Sequence, residues 1–224
     1  MSLAPVITVD GPSGSGKGTL ASLLADRLGW HLLDSGALYR IVGAEAVSRG
    51  LVLDDEPAIA SMAAGLDIRF EGERVLVDGA DLTRTIRTEA VSSAASEVAA
   101  LEGVRRAILD LQRAMRRAPG LVADGRDMGT VVFPEAELKV YLEASPEVRA
   151  ERRYNQLKNK GLSVNLRALL ASIRERDERD MRRAVSPLRP AQDAILVDST
   201  ELTIEEVLDR VLTEAKTRGL AKGI

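Results

Sequence analysis

Apolar residues in this chain come in two spacings, and the switch between them recurs. Val6, Ile7 and Val9 form a short β-branched run of the kind buried on both faces of a sheet. Asp10-Gly11-Pro12 stops the run, and Leu20, Leu23, Leu24 and Leu28 then recur at helical spacing until Gly29. Residues 30–34 read as a second strand. A helix begins at Ser35-Gly36, with Ser35 expected as its N-cap and Leu38, Ile41, Val42 and Ala46 on one side as far as Gly50. Leu121-Val122-Ala123, residues 138–142 and residues 194–198 read as three more strands, and 203–218 as a closing amphipathic helix. Strands alternating with helices predict an α/β fold, a three-layer α/β/α arrangement around a mainly parallel five-stranded central sheet.

Residues 54–100 depart from this rhythm. Asp54-Asp55-Glu56-Pro57 breaks the chain ahead of an alanine-rich helix. Residues 66–70 alternate with period two, a turn is expected at Glu71-Gly72-Glu73, and Val75, Leu76 and Val77 return to Asp78-Gly79. That is the pattern of an antiparallel hairpin with one wet face, inserted as a small β subdomain. Helices are expected over 89–99 and 103–117, the second with Val104, Ile108, Leu111 and Met115 at helical spacing. Further on, Arg149, Arg152 and Arg153 share a face of a helix that ends at Lys158-Asn159-Lys160-Gly161. Ser163 is expected to cap a second helix carrying Arg174, Arg176, Arg179, Arg182 and Arg183, interleaved with Glu175, Asp177, Glu178 and Asp180. Such a hairpin is either a solvated face laced with weak ion pairs or a helical lid whose guanidinium groups close over a phosphate.

Composition narrows the function classes. The 224 residues carry a net charge of -3, one histidine and no cysteine. Disulfides, thiolate zinc sites and cysteine nucleophiles are thereby excluded, and the sole histidine, His31, reads as structural. The charge argues against a general nucleic-acid binder. No run approaches membrane-spanning length, and no charged-then-apolar leader stands ahead of Pro5, so a soluble cytoplasmic protein is expected. Arginine outnumbers lysine, which suits bidentate phosphate recognition.

The chemistry concentrates at the end of the first strand. Gly11, Gly16 and Lys17 stand in the G-x-x-x-x-G-K spacing of a phosphate-binding loop, with a strand before it and a helix after it. Successive backbone N–H groups in such a loop converge on one anion, and the helix adds its positive dipole end. Lys17 supplies a mobile charge for the β- and γ-phosphates of a nucleoside triphosphate. One feature departs from the pattern: Gly18 follows the lysine, and the hydroxyl is delayed to Thr19. Magnesium is therefore expected to be held mainly by phosphates and water. Thr19 and Asp124 are its candidate protein ligands, directly or through water. Asp124 opens Asp124-Gly125-Arg126-Asp127-Met128-Gly129 at the C-terminal end of a strand, the edge where open parallel sheets bind ligands. The plainer reading of that segment is a turn whose Asp and Arg neutralise each other.

Four segments together carry a family resemblance: DGPSGSGKGT (10–19), LLDSGALYR (32–40), ADGRDMGTVVFP (123–134) and RERDERDMRRAVSPL (174–188). The chain resembles the bacterial-type cytidylate kinases, members of the nucleoside monophosphate kinase family, over essentially its whole length. The hairpin insert distinguishes this type from shorter adenylate kinases. The resemblance implies a core domain (1–34, 97–150 and 173–224), a monophosphate-binding domain with the hairpin insert (35–96) and a lid (151–172). It implies that ATP and CMP or dCMP give ADP and the pyrimidine diphosphate, with magnesium. Gly11, Pro12, Ser13, Gly14, Ser15, Gly16, Lys17, Gly18 and Thr19 would cradle ATP. Arg40, Arg126 and Arg183 would hold the acceptor phosphate, Ser35, Ser96, Arg105 and Asp127 the base, and Arg176 and Asp180 the sugar. Tyr39 would lie beside the pyrimidine. Lys17, Arg126 and Arg183, with the lid residues Arg152 and Arg153, would stabilise the transferring group.

The implied base assignment fits cytosine chemistry. Asp127 would accept from the N4 amino group and Arg105 would donate to N3 and O2, whereas uracil turns a carbonyl toward the carboxylate. Transfer needs no protein nucleophile. A monomer acting on small molecules is expected, with neither nucleic acid nor membrane as partner. Two rival functions are another phosphate-loop kinase, acting on UMP, a deoxynucleotide or a non-nucleotide alcohol, and a nucleotide-dependent switch or ATPase. A guanine switch would carry an Asn-Lys-x-Asp base reader, but Asn159-Lys160 is followed by Gly161-Leu162.

Overall fold

The computed structural model describes residues 3–71, 74–159, 161 and 163–221. Its centre is β1 (Val6–Asp10), a strand buried at every position. β1 is flanked by β6 (Leu121–Gly125) and β7 (Leu138–Glu143), and the five-stranded sheet runs β2 (His31–Asp34), β6, β1, β7, β8 (Ile195–Asp198). β1 pairs in parallel with both neighbours, and β7 with β8. The register sets Asp10 opposite Gly125 on one side and Tyr141 on the other. The sequence that follows each strand therefore emerges at one edge.

Helices α1 (Lys17–Leu28) and α8 (Ile204–Thr217) cover this sheet. Leu20 and Leu24 of α1 and Val207 and Val211 of α8 join Ile7, Val9, Val122, Val140 and Val197 in one fully or almost fully buried cluster. Each such side chain contributes roughly 1.5–3 kcal/mol relative to exposure. Thr203 and Glu206 close the start of α8 with reciprocal side-chain bonds to the helix backbone. His31 is bonded to the segment ahead of β6: its backbone N–H donates to Gly120 O, and its ring nitrogen pairs with Ala118 O at 2.9 Å.

The chain divides into two compact units, Met1–Leu33 with Met115–Ile224, and Asp34–Ala114. The second holds α2 (Ser35–Ser48), α3 (Glu56–Ala64), α4 (Glu89–Val98) and α5 (Glu102–Ala114). It also holds a separate antiparallel sheet, β3 (Ile68–Glu71), β4 (Arg74–Val77) and β5 (Ala80–Asp81). The predicted hairpin is β3–β4, and Gly72 and Glu73 of its expected turn lie outside the described residues. β5 was not anticipated. Asp78 and Gly79, both at positive φ (49° and 84°), turn β4 into it as a two-residue hairpin loop.

Several local expectations are corrected. The N-cap of α2 is Asp34, not Ser35: the Asp34 carboxylate accepts from Ala37 N and also from Arg40, which a serine hydroxyl does not match. The cap of α7 (Leu166–Met181) is Asn165 rather than Ser163, and Arg182 and Arg183 lie past its last turn. The preceding helix α6 (Pro146–Asn159) ends where expected, with Lys160 of its predicted terminus outside the described residues. On α5 the buried face is Val104, Arg105, Ile108 and Gln112, while Leu111 is exposed.

Candidate active site

The larger unit builds its site on the loop between β1 and α1. A Cβ at Gly11 would lie 2.0 Å from the Leu142 carbonyl oxygen, so only glycine lets the loop pass β7 this closely. Gly16, at φ 94°, is the N-cap of α1 and offers no side-chain cap, and no acidic residue occupies the first turn. The free N–H groups of a twelve-residue helix thus end at the loop, where an anion is their natural partner. Lys17 is buried and folds back over the loop, its Nζ donating to Pro12 O at 3.2 Å. The buried Ser15 hydroxyl has no hydrogen-bond partner among the described residues. Beside it a cavity of about 330 Å³ is lined by Gly16, Thr19, Leu142, Arg152, Ser199 and Val207, among others.

The glycine after the lysine has a structural reason. A Cβ on Gly18 would stand 3.2 Å from Asp124 Oδ2, so the bare position makes room for a buried carboxylate at the end of β6. A hard oxygen donor there, next to a phosphate-binding loop, fits magnesium held largely by phosphates and water.

Asp10 ends β1 and accepts from two backbone amides, Met128 N and Gly129 N, each at 2.8 Å. Burial pushes its carboxyl up to about 7; the two amides work against this, and the neighbouring Asp127 and Asp124 add to it. Asp10 thereby anchors the segment after β6. Asp127, also buried, directly precedes a π-helical turn at Met128–Val132, a geometry frequent at functional sites.

Arg126 of the same segment donates from Nε to Asp180 Oδ2 at 3.0 Å, and Arg183 Nη2 donates to Asp180 Oδ1. Burial pushes the Asp180 carboxyl up, but Arg126, Arg183 and Arg176 outweigh it and hold the pKa below the usual range. Burial likewise opposes the charge of Arg126, and Asp180, Asp124 and Asp10 outweigh it in turn. Three guanidinium groups thus act on the Asp180 carboxylate, with Asp124 and Asp10 also facing Arg126. The arginines of α6 differ among themselves. Arg149, only 3% exposed, grips Asp177 with both Nη atoms and donates to Ser13 O at 3.0 Å and Ala144 O at 2.9 Å. Arg152 donates to Ser15 O and to Ser199, and Arg153 to Gln156.

The smaller unit brings a second set together. Arg40 pairs with Asp34 at 2.7 Å, and its buried Nε has no hydrogen-bond partner among the described residues. The Arg105 guanidinium lies 5.4 Å from the centroid of the Tyr39 ring and donates to Ala99 O at 3.0 Å. Ser35 Oγ accepts from Gln112 Nε2 at 2.9 Å, and Ser96 on α4 keeps a buried hydroxyl with no partner among the described residues. α4 packs on α2 at Gly43, where a Cβ would come 2.8 Å from Ala95 N.

Sequence reasoning missed Asp10, Arg149, Asp177 and Gln112 as contributors. Asp10 gave the one available signal, an acidic residue closing an apolar strand.

Comparison with known proteins identifies the family. A sequence model of the cytidylate kinase family matches residues 7–217. The chain belongs to that family. Cytidylate kinases of Aeromonas hydrophila and of Pseudomonas savastanoi pv. phaseolicola are similar to it. The first is 58% identical over 218 residues, 96% of this chain and 95% of its own length. The second is 59% identical over 224 residues, covering 97% and 98%. The fold also matches a solved structure of an uncharacterized protein from Eubacterium ventriosum, with a TM-score of 0.54 at 10% identity over 96% of this chain and 99% of that one.

Proposed function

We propose that this protein transfers the γ-phosphoryl group of ATP to CMP or dCMP, giving ADP and CDP or dCDP. The observation that carries the reading is the loop of residues 11–19 opening onto the uncapped N-terminus of α1, in a chain of this family. Gly11 to Thr19 cradle the donor phosphates, and Lys17 follows the β- and γ-oxygens. The neighbouring cavity of about 330 Å³ offers room for the rest of the donor nucleotide.

Arg40, Arg126 and Arg183 hold the acceptor phosphate. Ser35, Ser96, Arg105 and Asp127 read the base beside Tyr39, and Arg176 and Asp180 bind the sugar. An oxygen of the acceptor phosphate attacks the γ-phosphorus directly as the bond to ADP breaks. Catalysis is alignment and charge stabilisation, with no covalent enzyme intermediate. Arg152 and Arg153 reach the transferring group only by leaving Ser199 and Gln156, which is the work of a closing lid at 151–172 between the core segments. The monophosphate-binding domain is 35–96, and the core comprises 1–34, 97–150 and 173–224. Thr19 and Asp124 are the groups that would hold magnesium, directly or through water. The ion, when bound, supplies charge neutralisation at the phosphates.

Among the described residues no helix is long and apolar enough to cross a membrane. We assign the protein to the cytoplasm as a monomer acting on small molecules. A coupled assay of ADP release with CMP, dCMP, UMP, AMP and GMP tests the reading. Release that depends on CMP or dCMP supports it, and release without any monophosphate overturns it.

A further inference from the structure

Helix α5 buries a face that its apolar spacing does not predict. Gln112 is 2% exposed, whereas Leu111 beside it is 36% exposed. A carboxamide taken out of water is costly unless its polar atoms are bonded, while a leucine is stabilised by burial. What Gln112 meets is Ser35, in the first turn of α2, through the 2.9 Å bond from Nε2 to Oγ. Arg105 stands two helical turns before Gln112, and Tyr39 one turn after Ser35, with the guanidinium 5.4 Å from the ring centroid. The two helices thus carry two polar rungs, Ser35–Gln112 and Tyr39–Arg105. Ser96, 2% exposed and without a hydrogen-bond partner for its hydroxyl among the described residues, adds a third polar group to the same unit.

A serine hydroxyl has one hydrogen to donate and two lone pairs to accept with. With Gln112 donating into one lone pair, the hydrogen of Ser35 is turned toward some other acceptor. Cytosine presents acceptors at N3 and O2, and uracil carries a hydrogen at N3. We propose that Gln112 is a positioning residue for base recognition, one that fixes Ser35 as a hydrogen donor to an acceptor on the pyrimidine of CMP. The inference rests on the reading of the protein as a CMP kinase with Ser35 at the base. Gln112 itself touches no substrate atom.

The test uses the full chain with Gln112→Met, Gln112→Glu, Ser35→Ala and the Gln112→Met/Ser35→Ala pair, measuring KM for CMP and ATP, kcat and Tm. Gln112→Met keeps the length of the side chain and removes the donor. It raises KM for CMP about tenfold, as expected for one lost hydrogen bond, with kcat and KM for ATP within about twofold of wild type. Added to Ser35→Ala it changes KM no further, because it acts through that hydroxyl. Gln112→Glu turns the Ser35 hydrogen toward residue 112. Its deficit relative to wild type shrinks as pH falls, since a protonated carboxyl donates as the amide did. An unchanged KM for CMP in Gln112→Met, independent effects in the pair, or KM for ATP rising in step with that for CMP would overturn the proposal. An unchanged KM for CMP in Ser35→Ala would overturn it as well. CMP-dependent ADP release by the wild type tests the underlying reading separately.

Discussion

The two units of this protein differ in the polar groups they bury. In the larger one, charged groups are crowded and already bonded: Arg126 and Arg183 on Asp180, Arg149 on Asp177 and Ser13, Asp10 on two backbone amides. In the smaller one the buried polar groups are mostly uncharged or set against an aromatic ring: Arg105 over Tyr39, Gln112 on Ser35, and Ser96, whose hydroxyl has no hydrogen-bond partner among the described residues. Under the proposed function, the contrast follows from what each set of groups would recognise. Phosphates are alike on every nucleotide, so backbone amides and guanidinium groups held in advance are enough. Bases differ by single donors and acceptors, which discriminate strongly only when kept dry. Substitutions in the first set should therefore slow every substrate, and substitutions in the second should blur the choice among substrates.

The strongest way to break this contrast is at Lys17. Lys17→Ala is expected to lower kcat on the order of 10³-fold with CMP and dCMP alike, as removal of a preorganised charge does. Tm stays within a few degrees, because the Lys17 ammonium bonds the Pro12 carbonyl of its own loop rather than a distant element of the core. Steady-state kinetics and a thermal melt check both halves, and a variant with ordinary turnover would show that the loop is not the donor site.

Asp127 sharpens the contrast, since the base-reading role proposed for it is carried by the larger unit. Asp127→Ala should erode the CMP-over-UMP ratio of kcat/KM by about 10- to 100-fold, as a mismatched buried hydrogen bond costs about 1–3 kcal/mol. KM for ATP should barely change, and an unchanged ratio would remove Asp127 from the base site.

The smallest effect on catalysis is expected from the titration of Asp10, which is read in stability. Its folded pKa of about 7 lies above the ordinary 3.8, so its contribution is full below about pH 4 and is lost as pH rises through 7. In nucleotide-free, metal-free protein, Asp10 should make unfolding free energy fall by up to about 1.4 kcal/mol per pH unit across that window. Denaturant melts of Asp10→Asn should show a shallower slope, and equal slopes would mean that Asp10 is ionised throughout.

The parallel sheet and its leading loop were legible because the signals there are local. A β-branched run must be a strand, glycines at fixed offsets must be a loop, and leucines at helical spacing must be α1. Asp34 and Ser35 are adjacent residues of equal capping ability, and only the bond to Arg40 favours the carboxylate. Periodicity chose Leu111 over Gln112 because it rewards apolarity, and the reason for burying Gln112 lies 77 residues away in Ser35. Arg149 was indistinguishable from Arg152 and Arg153 by spacing, since its partners Ser13 and Asp177 are remote in the chain. β5, two residues long, was signalled by the Asp78-Gly79 turn but too short to show a period.

The most direct test of the account is the stereochemical course of transfer with ATP made chiral at its γ-phosphorus. Direct passage between two nucleotides predicts a CDP whose β-phosphorus is inverted. Net retention would require a phosphorylated enzyme residue and would contradict the mechanism.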